Sequence, residues 1–482
     1  MKKKIGAILA AGAMVCAMTA GMAFSGCGTA KITEFEMPAG GYDGRAIEIT
    51  FANTTGASLE KVIDYGIERF NKIYPNIKVK NDNSEKDWDL LAKGITTKIQ
   101  TGRQPNVAFC YPDHVASYND AKAVLALNDF LPGGAYATES VTYGDGSKKN
   151  DMGFTKAQVD DYVPAFLKEG SIYLDGKTYT LPFAKSTEVL FYNKDVFDEL
   201  GLEAPATWTE MEEVCKTLTE YDKDCIALGY DSEANLFITL CEQYKSKYTS
   251  ATGDDHFLFD NDQNRAFVAD LKRWYDSRYL TTKETYGAYS SNLFKEKKCY
   301  MSIGSTGGSS YQDPGITDGN SAFKVGVAPI PQVDPANPKV ILQGPSVCVF
   351  KNQDPYKVLA SWLLIKFLTT DVDFQDRYSE ISGYAPVTFS TFNDEIYQEF
   401  LGDADKDSGL TARTARICKE LSEAKCADGS DVFYISPAFI GSSTARSAVG
   451  ILLKTVLDGD GKASTLDKAF KEAIQECRYF QN

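Results

Sequence analysis

Histidine is almost missing from this chain: among 482 residues there are only His114 and His256, 142 positions apart. No His-Glu-x-x-His, Gly-x-Ser-x-Gly or Gly-x-x-x-x-Gly-Lys pattern occurs, so the common metalloprotease, nucleophile-elbow and P-loop chemistries have no support. After residue 27 nothing approaches 18 consecutive apolar residues, which excludes a spanning helix from the body of the chain. Cys-x-x-Cys spacing is absent too. Beyond Cys16 and Cys27 lie nine cysteines (110, 215, 225, 241, 299, 348, 418, 426 and 477), several in apolar surroundings such as Val347-Cys348-Val349. An odd number without disulfide or metal spacing reads as free core thiols, suited to a poorly oxidising habitat. Positive charge is in the minority. Residues 1–26 hold three lysines and no acid, leaving 48 basic and 66 acidic residues, a net charge of −18. Such a surface repels nucleic acid and anionic headgroups. Asp403, Asp405 and Asp407 imitate the start of a calcium loop. Positions 6 and 12 are Ser408 and Thr414 instead of Gly and Glu, so an acidic surface loop is expected. No cofactor or metal is indicated, and no pair of carboxylates stands out for glycoside hydrolysis.

The N-terminus is rich in signal. Lys2, Lys3 and Lys4 precede an apolar run from Ile5 to Ala23, closed by Phe24-Ser25-Gly26-Cys27. A charged start with a short apolar middle is an export signal. The small residues before Cys27 resemble the bacterial lipobox, which implies removal of residues 1–26 and acylation of Cys27. Two or more acyl chains hold a protein at a membrane without any spanning helix. An ordinary signal peptide, or one membrane helix ending near Ser25, are the plainer alternatives. Residues 27–43 then form a tether, and the rest is an exported domain held at the outer face of the cell membrane. About 455 residues exceed one hydrophobic core, so two lobes are expected. Aromatics make up 12% of the chain, with 27 tyrosines, and exposed aromatic faces suit sugars or peptides.

Hydrophobic periodicity alternates strands with helices. Ala46–Phe51 reads as a strand, and Ser58 as the cap of a helix bearing Leu59, Val62, Ile63, Ile67, Phe70 and Ile73. Ile77–Val79 is a strand; a helix with Leu90, Leu91, Ile95 and Ile99 follows, then a buried strand over Asn106–Cys110 and a helix over about His114–Ala126. Gly133–Lys149 reads as a surface excursion. Further on come a strand at Val189–Tyr192, a helix at Asp195–Leu200 stopped by Gly201, and a capping box at Thr207-Trp208-Thr209-Glu210. Helices are expected at about 262–279, 355–369, 442–457 and 465–478, with strands at Val325–Ala328 and Val347–Phe350. This alternation predicts an α/β fold of largely parallel sheets flanked by helices, with ligands beyond the strand C-terminal ends.

The run LPFAKSTEVLFYNKDVFDELGLEAPATWTEM resembles the hinge, strand and capped helix of the extracellular solute-binding protein family 1, the maltose-binding-protein-like receptors of ABC importers. FNKIYPNIKV, TGRQPNVAFCYPDH, KKCYMSIGSTGG, ILQGPSVCVFK, ASWLLIKFLTT and SGYAPV are similar to other pieces of that family, in the same order. The resemblance implies a two-lobed, type II periplasmic-binding-protein-like fold with a multi-stranded hinge. Residues 44–185 with 305–368 would form the first lobe and 186–304 with 369–482 the second. The crossings would lie at Pro182–Thr187, around Ser302–Gly308 and at the end of the 355–369 helix. It also implies a monomer that binds a carbohydrate, most simply an oligosaccharide, and delivers it to a membrane permease. Glycerol-3-phosphate or another polyol phosphate is the alternative ligand; an exported glycan-active enzyme or an adhesive lipoprotein are remoter readings.

Candidate ligand residues follow from both arguments. Tyr111 and Asp113 lie just past a strand, where Asp113 can accept sugar hydroxyls or cap a helix. The resemblance places Trp88, Gly344 and Tyr384 at the cleft and hydroxyl donors at Ser186 and Ser305. Lys185 can hold an anion or pair with an acidic neighbour. Arg446 is a further anion candidate, although residues 436–446 lack the Gly-x-Arg-x-Gly-like stretch that carries the phosphate arginine in the glycerol-3-phosphate-binding branch.

Overall fold

The computed structural model describes residues 34–137, 152–317 and 320–481. The export signal, Cys27, the first part of the tether and most of the expected excursion after Gly133 lie outside these residues. The remainder forms two five-stranded sheets. In the first, the strands run in the order Ile77–Asp82, Ile47–Ala52, Val107–Cys110, Ser346–Val349, Thr180–Pro182. The first three are mutually parallel, and Ser346–Val349 is antiparallel to both of its neighbours. In the second the order is Val325–Pro329, Glu188–Asn193, Cys299–Ser305, Ile226–Tyr230, Leu280–Thr282, with Glu188–Asn193 the reversed strand. The sheets are thus mixed, each with one strand entering from the other lobe against the general direction.

Local chemistry explains most element ends. Thr207 Oγ1 accepts from Glu210 N at 3.1 Å while Glu210 Oε2 accepts from Thr207 N at 3.1 Å, the reciprocal box that opens the helix Trp208–Tyr221. Gly201, at φ 65°, ends the helix Lys194–Leu200. Two expectations fail locally. Gly56, not Ser58, caps the helix Ala57–Ile73, because its carbonyl already accepts from Glu60 N at 2.9 Å. The helix after Tyr111 covers only Pro112–Asp120, and Lys122 turns the chain at φ 53° so that Val124 can bridge Phe350.

Three crossings join the sheets. The first lies between Pro182 and Glu188. The second does not lie at Ser302–Gly308: Cys299–Ser305 and Val325–Pro329 both stay in the second sheet, and the chain returns only through residues 342–345. The segment 305–368 is therefore shared between the sheets. The third crossing comes later still: the helix Val372–Ser382 is tied to the first sheet's helix Ala57–Ile73 by the Arg69–Asp371 pair at 2.9 Å, and Val387 and Phe389 beyond it still bond Val163 and Asp161 of the same lobe. The first two crossings bond each other, and the first also bonds the loop after the helix Val372–Ser382. Lys185 and Ala385 exchange backbone hydrogen bonds of 3.0 and 2.6 Å, and Ser186 and Gln343 exchange bonds of 3.0 and 2.9 Å.

All nine body cysteines are free and buried, and burial pushes the Cys110 and Cys215 thiols well up. Asp403 pairs with Lys406 at 2.5 Å and Asp405 with Arg416 at 3.0 Å, so the acidic loop is neutralised by its own neighbours. Among the described residues no helix is long and apolar enough to cross a membrane.

Candidate ligand-binding cleft

A cleft of about 510 Å³ opens between the two sheets, with the hinge crossings at its back. Its first wall grows from the C-terminal end of the strand Val107–Cys110. That strand delivers Tyr111, whose ring lies 4.6 Å from Trp88 at an interplanar angle of 43°; Trp88 in turn stacks on Phe109 at 6.1 Å. Trp88 starts its helix because Asp87 Oδ1 accepts from Asp89 N at 2.9 Å and Leu90 N at 3.0 Å. Asp113 lies in the first turn after Tyr111 and accepts from His114 N at 3.0 Å, leaving most of its carboxylate toward the cleft. Burial drives the Tyr111 phenol well above its ordinary range, with Tyr384 adding to the effect and Arg446 opposing it.

The opposite wall is the face of the helix Ser442–Leu457, with Ser443, Arg446, Ser447 and Ile451 along it, joined by Tyr434, Tyr248, Asp231 and Glu233. Its acids are already engaged. Asp231 Oδ1 accepts from Ser290 N at 2.7 Å and Ser290 Oγ at 2.6 Å, and Glu233 Oε1 accepts from Glu284 N at 2.8 Å. Arg446 is positioned from behind. Its guanidinium donates to Asn235 Oδ1, and Asn235 Nδ2 donates to the buried Glu188 Oε1 at 2.6 Å, whose other oxygen accepts from Tyr230. Burial raises the Glu188 carboxyl to about 7, against the hydrogen bonds of Tyr230 and Asn235 and the charge of Arg446.

Trp88, Tyr111, Asp113 and Arg446 thus converge on one cavity. The other expected residues lie behind it. Lys185 is fully buried and pairs with Glu169, also donating to Ser346 Oγ at 2.8 Å and Gly344 O at 3.2 Å; its partner is an acidic neighbour. Ser186 is buried and accepts from Ser305 Oγ at 3.2 Å, while Ser305 caps the turn at Gly307. Gly344 packs against the first crossing: a Cβ there would stand 2.3 Å from Ala184 O. Tyr384 covers Gly307, where a Cβ would stand 2.6 Å from its ring, and its buried phenol is pushed up to about 12. Tyr248, Tyr434 and Glu233 were missed, since neither spacing nor local composition marks them.

A family profile for bacterial extracellular solute-binding proteins matches residues 67–400, well over half of the chain. The chain belongs to that family. Among curated relatives it is 24% identical over 399 residues to the sn-glycerol-3-phosphate-binding periplasmic protein UgpB of Salmonella typhimurium, covering 78% of this chain and 82% of that one. Similar solved folds include UgpB from Mycobacterium tuberculosis in complex with glycerophosphocholine (TM-score 0.69, 17% identity, 90% and 99% covered). Another is Lmo0181, an ABC substrate-binding protein from Listeria monocytogenes in complex with cycloalternan (TM-score 0.65, 18% identity, 90% and 98% covered). The architecture of two helix-flanked sheets is therefore that of two-lobed solute-binding proteins, and members of this family bind small solutes for uptake.

Proposed function

We propose that this chain is the substrate-binding lipoprotein of an ABC importer, anchored outside the cell through Cys27, which captures a carbohydrate by lobe closure and hands it to the permease unaltered. One observation carries the reading. The cleft sets an aromatic wall, Trp88 and Tyr111, against a wall of hydroxyls and charge, in front of the bonded crossings at Ser186 and Gln343, about which two such lobes would close. Aromatic faces stack on sugar rings while Asp113 and the serines of the facing helix bond hydroxyls. Relatives with sugar and glycerol-3-phosphate ligands bracket the ligand class. Of the acids lining the cleft, Asp231, Glu233 and Glu169 are committed to protein partners, which leaves Asp113 to bond ligand hydroxyls.

A thermal-shift screen with neutral and acidic saccharides and with glycerol phosphates tests the ligand class. A ligand at a hundred times its dissociation constant stabilises by about 2.7 kcal/mol, and at least one saccharide gives such a shift. If only glycerol phosphates do, the carbohydrate reading falls; if a glycan added in excess is cleaved, the receptor reading falls. Cys27→Ala releases the chain from membranes.

A further inference from the structure

The far wall of the cleft gathers hydrogen-bond donors with little negative charge to answer them, although the Ser442 hydroxyl itself is spent on Phe439 O at 2.7 Å. The helix Ser442–Leu457 begins at Gly441 with no side-chain cap and no acidic residue in its first turn, and Ser442 and Ser443 of that turn face the cavity. Arg446 stands one turn in. Among the described residues its guanidinium bonds a single neutral amide, Asn235 Oδ1, and forms no ion pair. Beside it lies the Tyr248 hydroxyl, buried on the cavity wall and without a hydrogen-bond partner, close enough that the charge of Arg446 offsets part of the burial effect on the phenol. A helix start, a fixed guanidinium and an orphaned hydroxyl all favour negative charge, and all three line the same cavity.

Resting on the carbohydrate reading, we propose that the ligand is an anionic saccharide whose acid group docks between Arg446, the Tyr248 hydroxyl and the start of the Ser442–Leu457 helix. Asn235, itself held by Glu188, is a positioning residue that fixes the guanidinium without neutralising it. On this wall Asp231 and Glu233 already accept from Ser290 and from Glu284 N, and Asp113, whose charge also reaches the Tyr248 phenol, faces the ligand from the opposite wall, where it would bond hydroxyls of the same saccharide. A carboxylate and a phosphate would satisfy these donors equally.

Titration calorimetry on the full chain separates the cases, with maltotriose as the neutral probe, digalacturonate as the carboxylate probe, and glucose 6-phosphate and glycerol-3-phosphate as phosphate probes. At least one acid-bearing probe binds about tenfold or more tightly than maltotriose, and its affinity falls with added salt. Arg446→Gln and Tyr248→Phe each weaken that probe by about tenfold, with the unliganded melting temperature as the folding control. Digalacturonate or glucose 6-phosphate as the tight probe identifies the acid as carboxylate or phosphate. Maltotriose binding as tightly as every acidic probe, or both variants binding acids unchanged, overturns the proposal and leaves the carbohydrate reading standing. Glycerol-3-phosphate binding alone does the opposite: the anion site stands and the saccharide falls.

Discussion

Glu169 and Glu188 are both buried carboxyl groups close to the first crossing, yet they treat their cations differently. Glu169 pairs directly with Lys185, and Ser346 Oγ adds a donor at 2.7 Å, so that charge is spent inside the protein. Glu188 reaches Arg446 only through the amide of Asn235. One lobe buries its cation as structure; the other keeps a cation on the cleft surface by inserting a neutral spacer. A charged residue near a site is available to a ligand only when its own protein has not already neutralised it.

Breaking the direct pair has the largest effect. Lys185→Met leaves the Glu169 carboxylate buried without compensation and should cost about 3–5 kcal/mol by denaturant unfolding, most of it recovered when Glu169→Leu is added. If the single variant is as stable as the parent, the pair is not the structural charge described here.

The spacer-held carboxyl should respond to pH instead. Glu188 is raised from 4.5 to about 7, so the folded chain holds its proton more tightly than the unfolded chain. That contribution is complete below the unfolded value and is lost as pH rises through the folded one. Glu188→Gln stays neutral throughout, so it should change stability little at pH 4 and add about 3 kcal/mol at pH 8. Tyr230, Asn235, Arg446 and Asp231 are the groups acting on it, and an equal effect at both pH values would remove the titration argument.

Gly344→Ala tests the roof over Lys185. Its φ of 94° and the 2.3 Å approach to Ala184 O predict a loss of about 2 kcal/mol, visible as a lower melting temperature. Thr207→Ala, at a capping box serving neither carboxylate, should cost only about 1 kcal/mol and leave ligand affinity untouched, a baseline for the other variants.

Much of this was legible in the chain. The strand–helix alternation, the capping box at Thr207 and the stop at Gly201 follow from local rules, and Tyr111 and Asp113 from their place just past a strand, whereas Trp88 and the first crossing rest on the family resemblance. Composition misled at Ser302–Gly308: glycine and serine suit a hinge, but Gly307 is small because Tyr384 lies on it. Likewise Leu90, placed on an apolar helix face, is exposed. The fate of Lys185 depends on an acid sixteen residues earlier that returns beside it only after the first sheet is assembled. Tyr248 enters the cleft wall for the same kind of reason, through packing between distant segments that no spacing records.

The bonded crossings at Ser186 and Gln343, with the Ala385 loop bonded beside them to Lys185, give the molecule a short axle. Because the two crossings grip one another there, twisting one would drag the other, and closure of the proposed receptor would turn its jaws about a common line. In the proposed importer, a membrane complex would then sense a filled cleft through the angle between two outer surfaces, far from any atom of the cargo.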